Sequence, residues 1–372
     1  MEDNNNSESS SDFKSISSGD EMDIEIQNNV ELIQNIVYNT NIYNFNFVYN
    51  FFKINKISKD SFKCPNCQCL MKEETNNSFI DRICFRCRKK NPYHDIKINI
   101  RKDSIFENVR ISLISIYFLI YECFITYKSI SKATQEHQEF IKHIDVESVS
   151  QQNISKLFSL LRTQIRIKMH ENWKNNILGY DISEGGVPRL EIDESKIIGN
   201  QNKVYWMFGI IDRSTKDCRV FCVLDNRSRE TLIPLVIKNV FTNNDLGQFN
   251  NKKDIHKYSL STRIYSDCWA AYDKEDFKNK GYILHRVNHS IWFGKGLFHT
   301  NTIEGLWSQL KRLNNNFSGI NFEVLNQLEK KLINPVDYLN DWICWSLYLR
   351  TCEIKKFNKV NKINELNNYL KY

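Results

Sequence analysis

Two hydrophobic periods divide this chain. In the helical stretch from Ile105 to about Lys168, the apolar positions Ile154, Leu157, Leu161 and Ile165 recur at three- and four-residue steps, which predicts a helix with one buried stripe and Ser150 as its cap. A shorter helical segment, Ser129 to Phe140, precedes it across a turn near Asp145. The longest apolar run, Leu113 to Ile125, falls short of the roughly 18 residues a membrane span needs and is interrupted by Glu122, so it predicts a buried helix. After Gly185, Gly186 and Pro188 the period drops to two. In Arg189 to Ser195, Leu190 and Ile192 take one face of a strand, Glu191 and Asp193 the other. Strands follow at Val204 to Asp212 and Cys218 to Leu224, joined by a turn at Arg213 to Lys216. Next come a helix from about Ser228 to Val240, a strand Arg263 to Cys268, a helix opened by Trp269 to Tyr272, and a strand near Tyr282 to Val287. The last helix of the series, His299 to Arg312, buries Ile303, Leu306, Trp307, Leu310 and Leu313 and lines up Glu304, Ser308 and Lys311 as a polar strip beside them.

Three strands, helix, strand, helix, strand, helix is the element order of an α/β, ribonuclease-H-like domain with a mixed five-stranded sheet flanked by helices. In that architecture the first and fourth strands are neighbours, so Asp193 and Asp267 would meet although far apart in sequence, with Glu304 added from the last helix. Taken singly, each acid reads more readily as a solvated strand end or helix flank. Together, carboxylates converging without matching bases repel one another, and a bound cation relieves that repulsion. Oxygen ligands favour Mg2+ or Mn2+. Two such ions would clamp a phosphodiester, and Lys311, two turns after Glu304, would touch the scissile-strand phosphate.

Composition sharpens the front of the chain. The 372 residues carry a net charge of +7. Residues 1–25 hold eight acids against Lys14 alone, so the remainder is about twice as basic as the whole, as suits a polyanion partner or a solvated Lys-rich surface. The first 25 residues, Ser/Asn-rich and acidic, read as a disordered tail. Residues 26–100 form an N-terminal region with a zinc ribbon at 64–87, 101–180 a helix-turn-helix DNA-binding region, 185–350 the catalytic domain, and 351–372 a basic, Asn-rich tail. Cys64-Pro-Asn-Cys67 and Cys84-Phe-Arg-Cys87 stand sixteen residues apart, the spacing of a four-cysteine zinc site, with two disulfides or four unrelated thiols as the alternatives. Cys69 reads as a spare thiol, and the run Arg86, Arg88, Lys89, Lys90 as a phosphate contact or a solvated surface. In the helical region Lys156, Arg162, Arg166 and Lys168 lie off the apolar stripe, which makes Arg162 and Arg166 DNA-contact candidates if the two helices are a helix-turn-helix and not a plain helical hairpin. No secretion signal is recognisable, so the thiols are expected to stay reduced.

The stretches Glu191-Ile-Asp-Glu-Ser-Lys196, Tyr265-Ser-Asp-Cys-Trp-Ala-Ala-Tyr272, Val287-Asn-His-Ser290 and His299-Thr-Asn-Thr-Ile-Glu-Gly-Leu-Trp307 resemble those of Merlin-superfamily DNA transposon transposases and their bacterial insertion-sequence relatives. Thirty-six residues separate Asp267 from Glu304, a spacing such enzymes show, and Lys311 meets their basic position seven after the glutamate. The resemblance covers roughly residues 60 to 350, including Tyr338-Leu-Asn-Asp-Trp342. It implies a DDE transposase with Asp193, Asp267 and Glu304 as its metal triad, double-stranded DNA (terminal inverted repeats and target) as its partner, cut-and-paste transposition, homo-oligomers on DNA, and residence in the nucleus of a eukaryotic source. Some bacterial relatives place an asparagine near Asn301 as the third catalytic residue. Where relatives carry a basic run after the first aspartate, this chain has Ile197-Ile-Gly-Asn-Gln-Asn202, which leaves that DNA contact in doubt. The alternative reading is a transposase-derived DNA-binding or regulatory protein without catalysis.

Overall fold

The computed structural model describes residues 45–142, 144, 146–179, 187–200, 203–224, 227–242, 262–288, 298–316 and 322–371. The acidic tail, the Gly185-Gly186 break, Asp145, Gln201-Asn202 and His289-Ser290 lie outside the described residues.

Helix α1 (Phe45–Ile54) precedes a three-stranded antiparallel sheet of β1 (Lys72–Thr75), β2 (Ile83–Lys90) and β3 (Tyr93–Asn99), in that order across the sheet. The apolar run becomes α2 (Leu113–Ile120) and a π-helical turn (Tyr121–Ile125), almost wholly buried, with Glu122 bonded to the Lys128 ammonium at 2.5 Å. Helices α3 (Ile130–Ile141) and α4 (Gln151–Asn175) follow. Their caps, Ser129 and Ser150, accept from the backbone N–H groups of Lys132 and Asn153, each satisfying a donor the helix start leaves open. Helix α4 runs on past Lys168 because Met169 and Trp173 continue the buried stripe.

The second sheet is mixed and five-stranded. Its strands β4 (Arg189–Gly199), β5 (Val204–Asp212), β6 (Cys218–Leu224), β7 (Arg263–Ser266) and β8 (Ile283–Arg286) lie in the order β6-β5-β4-β7-β8. Strands β4 to β6 pair antiparallel, whereas β7 runs parallel to both β4 and β8. Helix α5 (Arg229–Asn239) joins β6 to β7. The helix expected to open at Trp269 starts later. Trp269 to Tyr272 form a turn, and α6 (Lys274–Asn279) begins where the Asp273 side chain accepts from the N–H groups of Glu275 and Asp276. Helices α7 (Asn301–Asn316), α8 (Phe322–Lys330), α9 (Pro335–Ile354) and α10 (Lys359–Leu370) complete the described chain.

Strand alternation gives the large sheet two cores. Leu190, Ile192, Phe208 and Ile210 face α5 and Tyr272 on one side. On the other, Tyr205, Met207, Val220 and Cys222 meet α7 and α9 in a cluster that continues without a break through α2, α3, α4 and the small sheet. Helix α9 is buried nearly all round and packs on α4, β6 and α7, as a helix at the centre of a fold must. No helix among the described residues is long and apolar enough to cross a membrane.

The small sheet is tied to the helices by a buried ion pair. Asp81 and Arg101 are 5% and 1% exposed, and the guanidinium meets the carboxylate through two bonds of 2.5 and 2.7 Å. Its remaining arm reaches the Val109 carbonyl at 2.7 Å, while Asp81 also accepts the Leu113 N–H at the start of α2 at 2.9 Å. Removing one partner strands the other charge in a dry site, which typically costs about 3–5 kcal/mol. We expect Asp81→Ala to lose stability on that scale in urea denaturation, and Asp81→Ala/Arg101→Met to recover part of it. A loss below about 1 kcal/mol would show that water reaches the pair.

Candidate functional site

Two clusters of ligand-type side chains are built into these sheets. In the first, the Cys64, Cys67 and Cys87 sulfurs and a ring nitrogen of His94 lie within 4.8 Å of one another. Pro65-Asn66 makes the turn that lets Cys64 and Cys67 point the same way, and Gln68, at φ 58°, donates its N–H back to the Cys64 carbonyl at 2.8 Å. Cys87 and His94 come from the β2–β3 hairpin, where His94 pairs with Lys89 and so shares a face with Cys87. The His94 Nε2 atom lies 3.4 Å from Cys87 Sγ and 3.6 Å from Cys64 Sγ.

The expected fourth ligand, Cys84, is not in this group. Cys84 and Cys87 are both on β2, three residues apart, and an extended strand turns such side chains to opposite faces. Phe85-Arg86 continues a strand where Pro65-Asn66 makes a turn. Cys69 is exposed, outside the group, and accepts from Lys89 at 3.1 Å. Burial pushes the Cys87 thiol up to about 12, with the neighbouring thiols Cys67 and Cys64 adding to it. Cys64 is held below the ordinary thiol range, burial notwithstanding, by the backbone N–H groups of Cys67 and Asn66. Three sulfurs and one imidazole nitrogen form a donor set that can hold a metal such as zinc.

The second cluster sits at one end of the large sheet. The β4–β7 register ends by pairing Glu191 with Tyr265, and Asp193 and Asp267 each follow two residues on, Asp267 just past the end of β7. Helix α7 crosses this end with Ile303, Leu306, Trp307, Leu310 and Leu313 buried as the stripe requires, leaving Glu304, Ser308 and Lys311 exposed. Two acids of β4 hold it there. Glu191, 0% exposed, accepts the Ile303 N–H at 2.8 Å, and Asp193 accepts the Trp307 indole N–H at 2.9 Å. Gly209, paired with Asp193 across β4 and β5, makes room: a Cβ there would come within 2.4 Å of the Trp307 ring. Glu304 itself accepts from the Thr300 hydroxyl at 3.0 Å.

These acids differ in how their charge is matched. Glu191 meets the Arg213 guanidinium at 2.6 Å, and Arg213 also lies 3.8 Å over the Tyr265 ring. Burial pushes Asp193 up to about 6; the Trp307 bond opposes this, while the charges of Asp267 and Glu304 reinforce it. Asp193 therefore feels the charges of both Asp267 and Glu304. The oxygens of these three acids do not all lie within 4.8 Å of one another, as the ligand atoms of the cysteine and histidine group do. On the opposite face of β4, burial pushes Glu194 up to about 8, with Asp193 and Asp267 contributing. Glu194 accepts from the Tyr272 hydroxyl and lies 3.7 Å from Arg227, which is held between the Trp206 and Trp269 rings at 3.9 and 4.3 Å.

Of the basic candidates, Lys311 is exposed on the Glu304 side of α7. The other two turn inward. Arg162 is 8% exposed and lies over the Trp342 ring at 4.2 Å, and Arg166 bonds to Asp341 at 2.6 Å. Sequence reasoning placed them off the apolar stripe, but α9 packs on that side of α4 as well. Arg86 is likewise engaged, by Asp95 and Glu74. Asn301 is exposed at the first position of α7. Sequence reasoning missed His94, Glu191 and Gly209 as site residues. Glu191 alone carried a signal, its shared strand face with Asp193. No protein-family model matches the chain, and no curated protein matches it.

Metal analysis of purified variants checks the first cluster. We expect zinc in the wild type and in Cys84→Ser but not in His94→Ala, and the opposite pattern would return Cys84 to the ligand set. Denaturant titration checks the second cluster. Gly209→Ala should cost about 1–3 kcal/mol by overpacking against the indole, and distinctly less in a Trp307→Leu background. Equal costs in both backgrounds would mean that the two residues do not touch.

Proposed function

We propose that this chain is a DDE-type DNA transposase of the Merlin kind, in which a ribonuclease-H-like domain cuts and joins DNA behind a zinc-ribbon and helix-turn-helix front end. One observation carries the reading: Asp193, within β4, and Asp267, just past the end of the adjacent parallel strand β7, lie close enough with Glu304 for both charges to raise the Asp193 carboxyl. Acids gathered so, two of them without a basic partner in contact among the described residues, match the donor set of Mg2+ or Mn2+. Asp193, Asp267 and Glu304 would hold the metal, which when bound supplies charge stabilisation for phosphodiester cleavage and transfer.

The protein's own residues do the positioning. Trp307 fixes one Asp193 oxygen, and Glu191 anchors the start of the helix that bears Glu304. Lys311, exposed seven residues after Glu304, takes the scissile-strand phosphate. The cysteine and histidine cluster serves as the structural zinc site of the ribbon, closed to substrate by its four protein donors. Double-stranded DNA bearing terminal inverted repeats is the proposed substrate, with two or more copies of the chain bridging paired ends in the nucleus of a eukaryotic cell.

The test is cleavage of DNA carrying the inverted repeats that flank the gene, in Mg2+, by the full chain. Asp193→Asn and Asp267→Asn should each lower the rate by at least about 100-fold while retention in gel-shift binding stays near wild type. Cleavage by both variants at the wild-type rate would remove the triad. Binding without cleavage by any of the proteins would favour the non-catalytic alternative.

A further inference from the structure

Four arginines are buried among the described residues, and three of them donate hydrogen bonds within the protein. Arg101 meets Asp81 and the Val109 carbonyl, Arg219 the carbonyls of Cys218 and Asn176, and Arg350 the Gln309 amide oxygen and the Lys216 carbonyl. Arg162 has no such partner. Its Nε is buried with no hydrogen bond, as is that of Arg219, but among the described residues no carboxylate lies within 4.0 Å of its guanidinium, whose contact is the Trp342 ring at 4.2 Å. The nearby Asp341 is already taken by Thr163 and Arg166, both at 2.6 Å. Burial accordingly lowers the Arg162 pKa. A cation taken out of water and answered only by a ring face is expensive, and an anionic ligand would relieve that cost.

Arg162 lines a cavity of about 640 Å³ between α3, α4 and α9, within the range of small-ligand sites, which run from roughly 300 to 1,000 Å³. Ser155 and Ser159 line the same cavity from α4, seven and three residues before Arg162 and so on the same helix face. Tyr338, Trp342 and Trp345 supply flat apolar walls. Guanidinium and hydroxyls at one place, with indole and phenol rings beside them, suit a ligand that is anionic at one end and planar at the other.

We propose that this cavity is a binding site for a small aromatic phosphate of the nucleoside monophosphate class, its phosphate on Arg162 and the two serines and its ring against the aromatic wall. The site stands apart from the acids of the large sheet and does not rest on the nuclease reading. Its consequence for Arg162 is that the side chain pairs with a ligand inside the fold and not with DNA on the surface.

Tryptophan fluorescence and calorimetry on the full chain, without added divalent metal, test this with AMP, adenosine and inorganic phosphate as probes. We expect saturable AMP binding with Kd below about 1 mM, and binding of adenosine and of phosphate at least about tenfold weaker. Arg162→Met should weaken AMP by about tenfold or more, and Ser159→Leu, which fills the cavity from an unburdened position, should abolish binding while far-UV circular dichroism stays unchanged. No saturable AMP binding by the wild type, or equal binding by both variants, would overturn the proposal.

Discussion

The large sheet and its acids depend on the pair of bonds that fasten α7 across β4. Glu191 and Asp193 lie on one face of a strand, two residues and so about 6.6 Å apart. Ile303 and Trp307 lie one turn apart on a helix, about 6 Å along its axis. The two spacings match closely enough for a backbone N–H at the helix start and an indole N–H one turn later to find successive carboxylates of the same strand. Glu304 sits between the two fastened residues, so its position is fixed by neighbours that are themselves bonded. Gly209 completes the arrangement from the adjacent strand by having no side chain where the indole lies.

That fastening uses acids in two different ways. Glu191 is matched by Arg213 and by the helix N–H, and is structural in the plain sense that its charge is answered. Asp193 receives one indole N–H and is pushed the other way by burial and by two further carboxylates. The raised Asp193 carboxyl, beside a matched Glu191 two residues away, is the feature on which the proposed site rests.

Much of this was legible in the sequence, and the limits were physical. Strand alternation in Arg189 to Ser195 gave the faces, and the helical stripe of α7 gave its buried side residue by residue, because both periods are strict where one face is covered. Adjacency of β4 and β7 followed from element order. The ligand exchange of His94 for Cys84 was harder: C-x-x-C spacing implies convergence only where a turn lies between the cysteines, and the hairpin that returns His94 is a pairing of strands that spacing alone does not reveal. Arg162 failed for another reason. A stripe read from one helix marks the face against its first neighbour, and α9, which covers a second face, lies more than 170 residues further along the chain.

That long-range packing also bears on how the parts work together. Cys64 and Cys87 of the metal cluster, Phe106, the α4 stripe, Trp345 of α9 and Trp307 of α7 belong to one continuous set of buried contacts. Metal held by the front cluster would therefore stabilise a core that extends to the helix carrying Glu304, since ligand binding to the folded state alone adds to folding free energy. A front end with a separate core would leave DNA bound there free to approach the acids from many directions. With a shared core, DNA held by the front end would, on the proposed reading, meet the acids from one set direction.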